Sequence, residues 1–254
     1  MKQARIHFVG AGPGDPELIT VKGARVIREA DVIIYTGSLV NPDVVKEVKS
    51  GAVVYDSAGM NLEEIVEIMV QAAGEGRKVA RVHTGDPALF GAIREQMDRL
   101  QEAGVDCTVI PGVSSFAAAA ASLKKEYTLP GVAQTVILTR MEGRTPVPEK
   151  EKLARLAAHG TSLVIFLSVQ MIHQVVEALL EGYEPQTPVA VVQKASWPGE
   201  RILRGTLEDI AARVEKAGID RTALILVGPF LGDAYQLSRL YDRNFSHGYR
   251  GDTR

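Results

Sequence analysis

Apolar residues in the first half of the chain alternate between short runs and helical spacings. Arg5–Val9, Val32–Tyr35, Val53–Tyr55, Val79–Val82 and Thr108–Ile110 read as strands. Between them, Leu18, Val21, Ala24 and Ile27 predict a helix over Glu17–Glu29, and Pro42–Val48 a short one. Asn61, with Glu64 three residues on, makes a capping box for a helix whose inner face is Leu62, Ile65, Met69 and Ala72. Leu89, Ile93, Met97 and Leu100 predict a helix over Ala88–Ala103, closed by Gly104, and Phe116–Leu123 reads as a helix of small residues. Strands and helices in this alternation predict a parallel sheet with crossover helices.

The polar stretch Lys124–Gly131 is the expected linker. A second α/β set follows. Thr135–Leu138, Ser162–Leu167, Val189–Gln193, Arg201–Arg204 and Leu224–Val227 read as strands, and Glu149–His159 and Gln170–Leu180 as helices closed by Gly160 and Gly182. Thr206 and Asp209 make a second capping-box pattern ahead of Leu207, Ile210, Ala211 and Val214. From about Asp233 the chain is polar and aromatic without a period, as expected of a loosely packed tail. The expected organisation is an α/β domain over 1–123, a linker over 124–131, a second α/β domain over 132–232 and a tail over 233–254.

Composition narrows the function more than the fold. With 254 residues, 46% of them hydrophobic, 24% charged and a net charge of −2, the chain has no global basic field to hold nucleic acid. Its single cysteine, Cys107, excludes an intrachain disulfide and reads as a small core residue, and no cysteine/histidine cluster points to a metal. Pro111, Gly112 and two serines break the longest uncharged stretch, Cys107–Leu123, so no membrane span is expected. The chain opens on strand-like residues without a signal-peptide pattern, which gives a cytoplasmic expectation.

The candidate chemistry lies in three glycine-bearing loops at carboxyl ends of predicted strands: Gly10–Pro16, His83–Pro87 and Pro111–Ser115. Open α/β sheets bind ligands at such ends. Gly10-Ala11-Gly12-Pro13-Gly14 invites a dinucleotide reading, that of an oxidoreductase. Its third glycine falls one residue early, however, Pro13 lacks an N–H, and Asp15 would repel phosphate. Backbone groups, hydroxyls and the Asp86 carboxylate suit a neutral or cationic small ligand better. Three readings stay open here: Asp86 as ligand or helix cap, His83 as base or structural group, and Trp197 as stacking platform or packing.

Gly10–Pro16 with Leu18-Ile19-Thr20, His83–Pro87 with Gly91, and Pro111–Ser115 resemble the three N-terminal motifs of the tetrapyrrole (corrin/porphyrin) methylases. Gly59–Glu64, Gln134-Thr135, Leu138-Thr139-Arg140 with Gly143–Pro146, and Ala195–Pro198 are similar to the branch acting on C11 of precorrin-4 or its cobalt form. The resemblance implies two α/β domains, the first sheet mostly parallel and the second mixed, with S-adenosyl-L-methionine in the cleft between them, a tetrapyrrole substrate and a homodimer. It implies cofactor contacts at Pro13, Thr84, Gly85, Asp86, Leu89, Ser114, Ser115, Leu167 and Ala195. It implies no catalytic nucleophile or base, since the donor methyl is already activated; Asp86 has a binding role. Other members of the family methylate different tetrapyrrole carbons, an RNA ribose or a protein histidine derivative. Arg140, Arg144 and Lys194, on loops of the second half, are candidates for binding substrate carboxylates, or else solvated surface charges.

Overall fold

The computed structural model describes residues 5–242, 245 and 246. The chain divides into two compact units. One runs to Ala119 and also takes in Lys194–Glu200; the other holds Ala120–Gln193 and the chain from Arg201 on.

In the first unit, β1 (Ile6–Gly10), β2 (Val32–Tyr35), β3 (Val53–Asp56), β4 (Val79–His83) and β5 (Cys107–Ile110) form a sheet in the order β3-β2-β4-β1-β5. Every pair is parallel. The period-2 alternation of strand side chains separates two cores. Val9, Ile33, Ala80 and Val82 pack with Ile27 of α1 (Val21–Glu29). Ile6, Phe8, Ile34 and Val79 pack with Ile65 and Met69 of α2 (Leu62–Gly74) and Leu100 of α3 (Ile93–Glu102). The chain leaves β1 toward β2 on one side and leaves β4 toward β5 on the other. The order therefore reverses between neighbouring β1 and β4, and it is at the carboxyl ends of such a strand pair that open α/β sheets take ligands.

The second unit holds β6 (Val136–Arg140), β7 (Ser162–Phe166), β8 (Pro188–Gln193), β9 (Arg201–Thr206) and β10 (Ala223–Val227), in the order β6-β7-β10-β8-β9. Only β6 and β7 are parallel, so this sheet is mixed. α5 (Leu153–Ala157), α6 (Ile172–Leu179) and α7 (Ile210–Ala217) share one core with Leu163, Ile165, Val189, Val191 and Ile225. α4 (Ser115–Leu123) spans the division between the units.

Local chemistry moves several element boundaries. α1 begins at Val21 instead of Glu17, because Thr20 caps it through the Gly23 N–H and Asp15 caps a separate 3-10 turn, Pro16–Leu18. Pro42–Val45 is likewise a 3-10 turn. The helix expected over Ala88–Ala103 starts only at Ile93, since Phe90 (φ 56°) and Ala92 (φ 47°) take left-handed backbone. The Asn61/Glu64 capping box forms in both directions. At Thr206 only half of one forms: the Asp209 carboxylate accepts the Thr206 N–H, while Thr206 itself is the last residue of β9 and α7 has its N-cap at Asp209. The stretch 124–131, expected to link, is tied into the second unit, where Ser162 Oγ donates to the Tyr127 carbonyl at 2.7 Å and Leu129 bridges Ala133. Of the expected tail, Gln236 N–H donates to the Pro130 carbonyl; 243, 244 and 247–254 lie outside the described residues. Among the described residues no helix is long and apolar enough to cross a membrane.

Candidate functional site

The loops after β1, β4 and β5 meet backbone to backbone. Gly85 N–H donates to the Gly12 carbonyl at 2.7 Å, Gly12 N–H returns to the Gly85 carbonyl at 3.3 Å, and Ala11 N–H donates to the His83 carbonyl at 2.8 Å. A Cβ at Gly112 would stand 2.8 Å from the Gly10 Cα and drive into the Gly85 carbonyl, so only glycine permits this approach. The Asp86 carboxylate joins two of the loops. Its Oδ1 accepts the Ala88 N–H at 2.8 Å and its Oδ2 the Gly112 N–H at 2.9 Å. Asp86 therefore caps its own turn and also fixes the β5 loop.

A fourth segment comes from far along the chain. Lys194–Glu200 follows β8 and belongs to the first unit. Trp197 Nε1 donates to the Pro13 carbonyl at 2.9 Å, and Ser196 Oγ accepts the Asp15 N–H at 3.0 Å. Asn41 holds the same loop from its other flank, donating to the Gly14 carbonyl at 2.8 Å. The indole lies so close to Gly14 that a Cβ there would be 2.7 Å from the ring Cγ. Trp197 is therefore packing and anchor together. Lys194 and Ser196 take left-handed backbone (φ 52° and 68°), which turns the segment onto the loop. The Lys194 Nζ sits 5.7 Å from the indole centroid, a cation–π distance.

The residues expected to contact a cofactor fall into two groups. Pro13, Thr84, Gly85, Asp86, Leu89, Ser114, Ser115 and Ala195 lie in the first unit, on these four segments. Thr84 is exposed, Asp86, Leu89 and Ser115 are half-buried, and Pro13, Gly85, Ser114 and Ala195 are buried. Leu167 lies in the second unit, 66% exposed and at φ 56°. Left-handed backbone on a leucine costs about 1–3 kcal/mol and must be held by its surroundings. Ser168 supplies the hold: its buried hydroxyl donates to the Phe166 carbonyl at 2.7 Å and accepts the Met141 N–H at 2.9 Å. Nothing in the spacing of Ser168 marks it beforehand, since a serine after a strand is ordinary loop composition.

In the loop after β6, the Arg140 guanidinium donates to the carbonyls of Met141 (3.3 Å), Thr145 (3.2 Å) and Pro146 (2.7 Å). Arg140 therefore braces the turn that displays the exposed Arg144. Lys194 is exposed over Trp197. No Lys or Arg occurs in 10–16, 83–87 or 111–115. These loops offer backbone groups, hydroxyls and half-buried Leu89 without a cationic side chain, a lining suited to a neutral or cationic small ligand.

Beneath the β4 loop the charges are unusual. Arg81 is 5% exposed, and burial lowers its pKa to about 10. Its partners are neutral: Gln96 Oε1, Ser57 Oγ and the Ile34 carbonyl. His83 is 6% exposed and its Nε2 has no hydrogen-bond partner among the described residues. Burial first, and then the Arg81 charge, lower its pKa to about 3. His83 is thus a neutral imidazole buried beside a cation, far too weak a base for proton abstraction near neutral pH.

Known proteins resemble this chain in sequence and in fold. The family model for Tetrapyrrole (Corrin/Porphyrin) Methylases matches residues 5–211. A cobalt-precorrin-4 C(11)-methyltransferase of Methanocaldococcus jannaschii is 59% identical over 97% of this chain and 96% of its own. The X-ray structure of a cobalt precorrin-4 methyltransferase superposes with a TM-score of 0.88 at 49% identity, covering 90% of this chain and 96% of the other. A uroporphyrin-III C-methyltransferase from Thermus thermophilus, solved with S-adenyl homocysteine, superposes with a TM-score of 0.76 at 31% identity, over 90% and 99% of the two chains.

Two outcomes follow from the geometry. Trp197→Phe keeps a ring against Gly14 but removes the donor to Pro13. It should cost about 1 kcal/mol of stability and speed amide exchange at residues 12–15; unchanged exchange there would remove the anchoring role. His83 should titrate far below its free value. Because its folded pKa is depressed from 6.5, the folded state binds fewer protons than the unfolded one. Its contribution is complete above pH 6.5 and declines as pH falls toward about 3. The loss between pH 7 and 5 is about 2 kcal/mol. A histidine NMR titration checks this, and a His83 pKa above 5 would overturn it.

Proposed function

The chain belongs to the tetrapyrrole (corrin/porphyrin) methylases, and from that membership we propose its reaction, its site and its substrate form. It is an S-adenosylmethionine-dependent methyltransferase of cobalamin biosynthesis that methylates C11 of the precorrin-4 skeleton. The likeness at 59% identity over nearly the whole of both chains carries this conclusion. The cobalt-loaded form is the proposed substrate, because that form is named for both the 59%-identical relative and the structure superposing at 0.88. The chain is proposed to work as a cytoplasmic homodimer, as the family resemblance implies.

The bound S-adenosylmethionine supplies a methyl group already activated on a sulfonium, and an electron-rich ring carbon accepts it. What remains for the protein is orientation, which is worth up to ~7–11 kcal/mol when reacting atoms are held in line. The absence of an activated nucleophile or poised base from the three loops agrees with that division of labour. Pro13, Thr84, Gly85, Asp86, Leu89, Ser114, Ser115 and Ala195 are the proposed cofactor contacts from the first unit, and Leu167 from the second. Asp86 acts by fixing the Ala88 and Gly112 amides. Gly112, pressed on the β1 and β4 backbone, keeps those amides from shifting. Arg144 is the proposed carboxylate contact, displayed on the turn that Arg140 braces. Lys194 is the second.

The test is product analysis with a carbon-labelled methyl donor and both forms of precorrin-4. The label should appear at C11, with the cobalt-loaded substrate turned over faster. Label at another carbon would overturn the regiochemistry, and equal or slower turnover of the cobalt form would overturn the substrate form. Arg144→Ala should raise the KM for the tetrapyrrole about tenfold, the loss of one charge-assisted hydrogen bond, with S-adenosylhomocysteine affinity unchanged. Wild-type kinetics would return Arg144 to the solvent.

A further inference from the structure

The stretch between the β4 loop and α3 takes a conformation that its own residues do not favour. Phe90 and Ala92 are left-handed without being glycine, and a Cβ on Gly91 between them would stand 3.0 Å from the Pro87 carbonyl carbon. Ala92, at the cap position just before α3, offers the helix no side-chain cap. Such backbone persists only where neighbouring groups over-determine it. Here a relay of side chains reaches it from the strand. Gln96 Nε2 donates to the Ala92 carbonyl at 3.1 Å, and Gln96 Oε1 accepts from Arg81 Nε at 3.1 Å. Arg81 is itself fixed by donating to Ser57 Oγ at 2.9 Å and the Ile34 carbonyl at 3.4 Å.

The direction of this relay is forced. A guanidinium has donors only. Gln96 must therefore turn its oxygen toward Arg81, which leaves its amide N–H groups, and never its oxygen, for the Ala92 carbonyl. The orientation of one buried amide is set by a buried cation that has no carboxylate partner among the described residues, an expensive arrangement to keep for packing alone. We propose that Arg81 is a positioning residue for methyl transfer: through Gln96 it fixes the Ala92 carbonyl and, with it, the strained segment Pro87–Ala92 that carries Leu89 beside Asp86. The proposal rests on the functional reading above, in which Leu89 and Asp86 meet the cofactor.

Gln96→Glu separates positioning from stability. A carboxylate there still accepts from Arg81 and also neutralises its charge, but it has no proton for Ala92. The variant should melt no lower than the wild type. In the ligand-free protein, amide exchange over residues 89–92 should accelerate about tenfold, and S-adenosylhomocysteine should bind about tenfold more weakly, the scale of one lost hydrogen bond. The kinetic loss should fall on the KM for the methyl donor rather than on kcat. Arg81→Lys keeps the charge without the fork and should weaken binding in the same direction. Wild-type exchange at 89–92 together with wild-type S-adenosylhomocysteine affinity in Gln96→Glu would overturn the proposal. If the wild type itself takes no S-adenosylhomocysteine, the functional reading falls, and the exchange comparison still decides the relay.

Discussion

The site depends on a close approach that only missing side chains allow: three strand-end loops pressed together, backbone on backbone, around Gly10, Gly85 and Gly112. A parallel sheet delivers neighbouring strands about 4.8 Å apart, but it does not by itself bring their following loops into contact. Here the Gly12–Gly85 hydrogen bonds extend the β1–β4 contact past the end of the sheet, and Asp86 then reaches across β1 to the loop after β5. The Asp86 carboxylate accepts two amide N–H groups, those of Ala88 and Gly112, that lie outside the strands. A larger residue at Gly112, or a carboxamide at position 86, would break the same joint from opposite sides.

Much of the surrounding design keeps this joint from relaxing. The β1 loop is held at Pro13 by Trp197, at Gly14 by Asn41 and at Asp15 by Ser196, three anchors on three consecutive residues. Two of them come from a segment about 180 residues further on. The chain thus returns to complete the first unit after most of the second has been laid down. Substitutions at Ser196 or Trp197 therefore act on the first unit, although both follow a strand of the second.

The sequence was legible where a local rule suffices. The parallel run of five strands, the Asn61/Glu64 cap and the Gly104 stop follow from period, cap chemistry and glycine conformation, and each stands in the structure. It was illegible where distant groups override a local preference. Leu89, Ile93, Met97 and Leu100 carry a sound helical period, yet the first turn is unwound by left-handed Phe90 and Ala92, whose support comes from β4 through Gln96. Nor does any pattern in Lys194–Glu200 announce that it joins the first unit, because its partners are single atoms on the β1 loop. For Arg140 the sequence offers a carboxylate contact or a solvated charge, and spacing cannot reveal three carbonyls turned back on one guanidinium. One signal was available and unused: an arginine in the otherwise apolar run Val79-Ala80-Arg81-Val82 of a central strand demands buried partners.

These features share one physical logic. Transfer of an already activated methyl group needs little from acid–base chemistry and much from geometry, because misplacing the reacting atoms by about 1 Å can cost a hundredfold in rate. A site for such a reaction is better built from backbone than from mobile side chains, since backbone held by hydrogen bonds loses little entropy when the ligand arrives. That accounts for polar side chains here turned inward on the protein itself: Asp86 on two amides, Ser168 on a carbonyl and an amide, Arg140 on its own loop, Arg81 on a relay to Ala92. Each holds backbone that would otherwise relax, and two of the residues so held, Leu167 and Ala92, are left-handed without being glycine. The strain is evidence of the same priority. Folding stability is given up at these positions to hold the backbone in one set conformation, which is what a reaction limited by geometry asks of its protein.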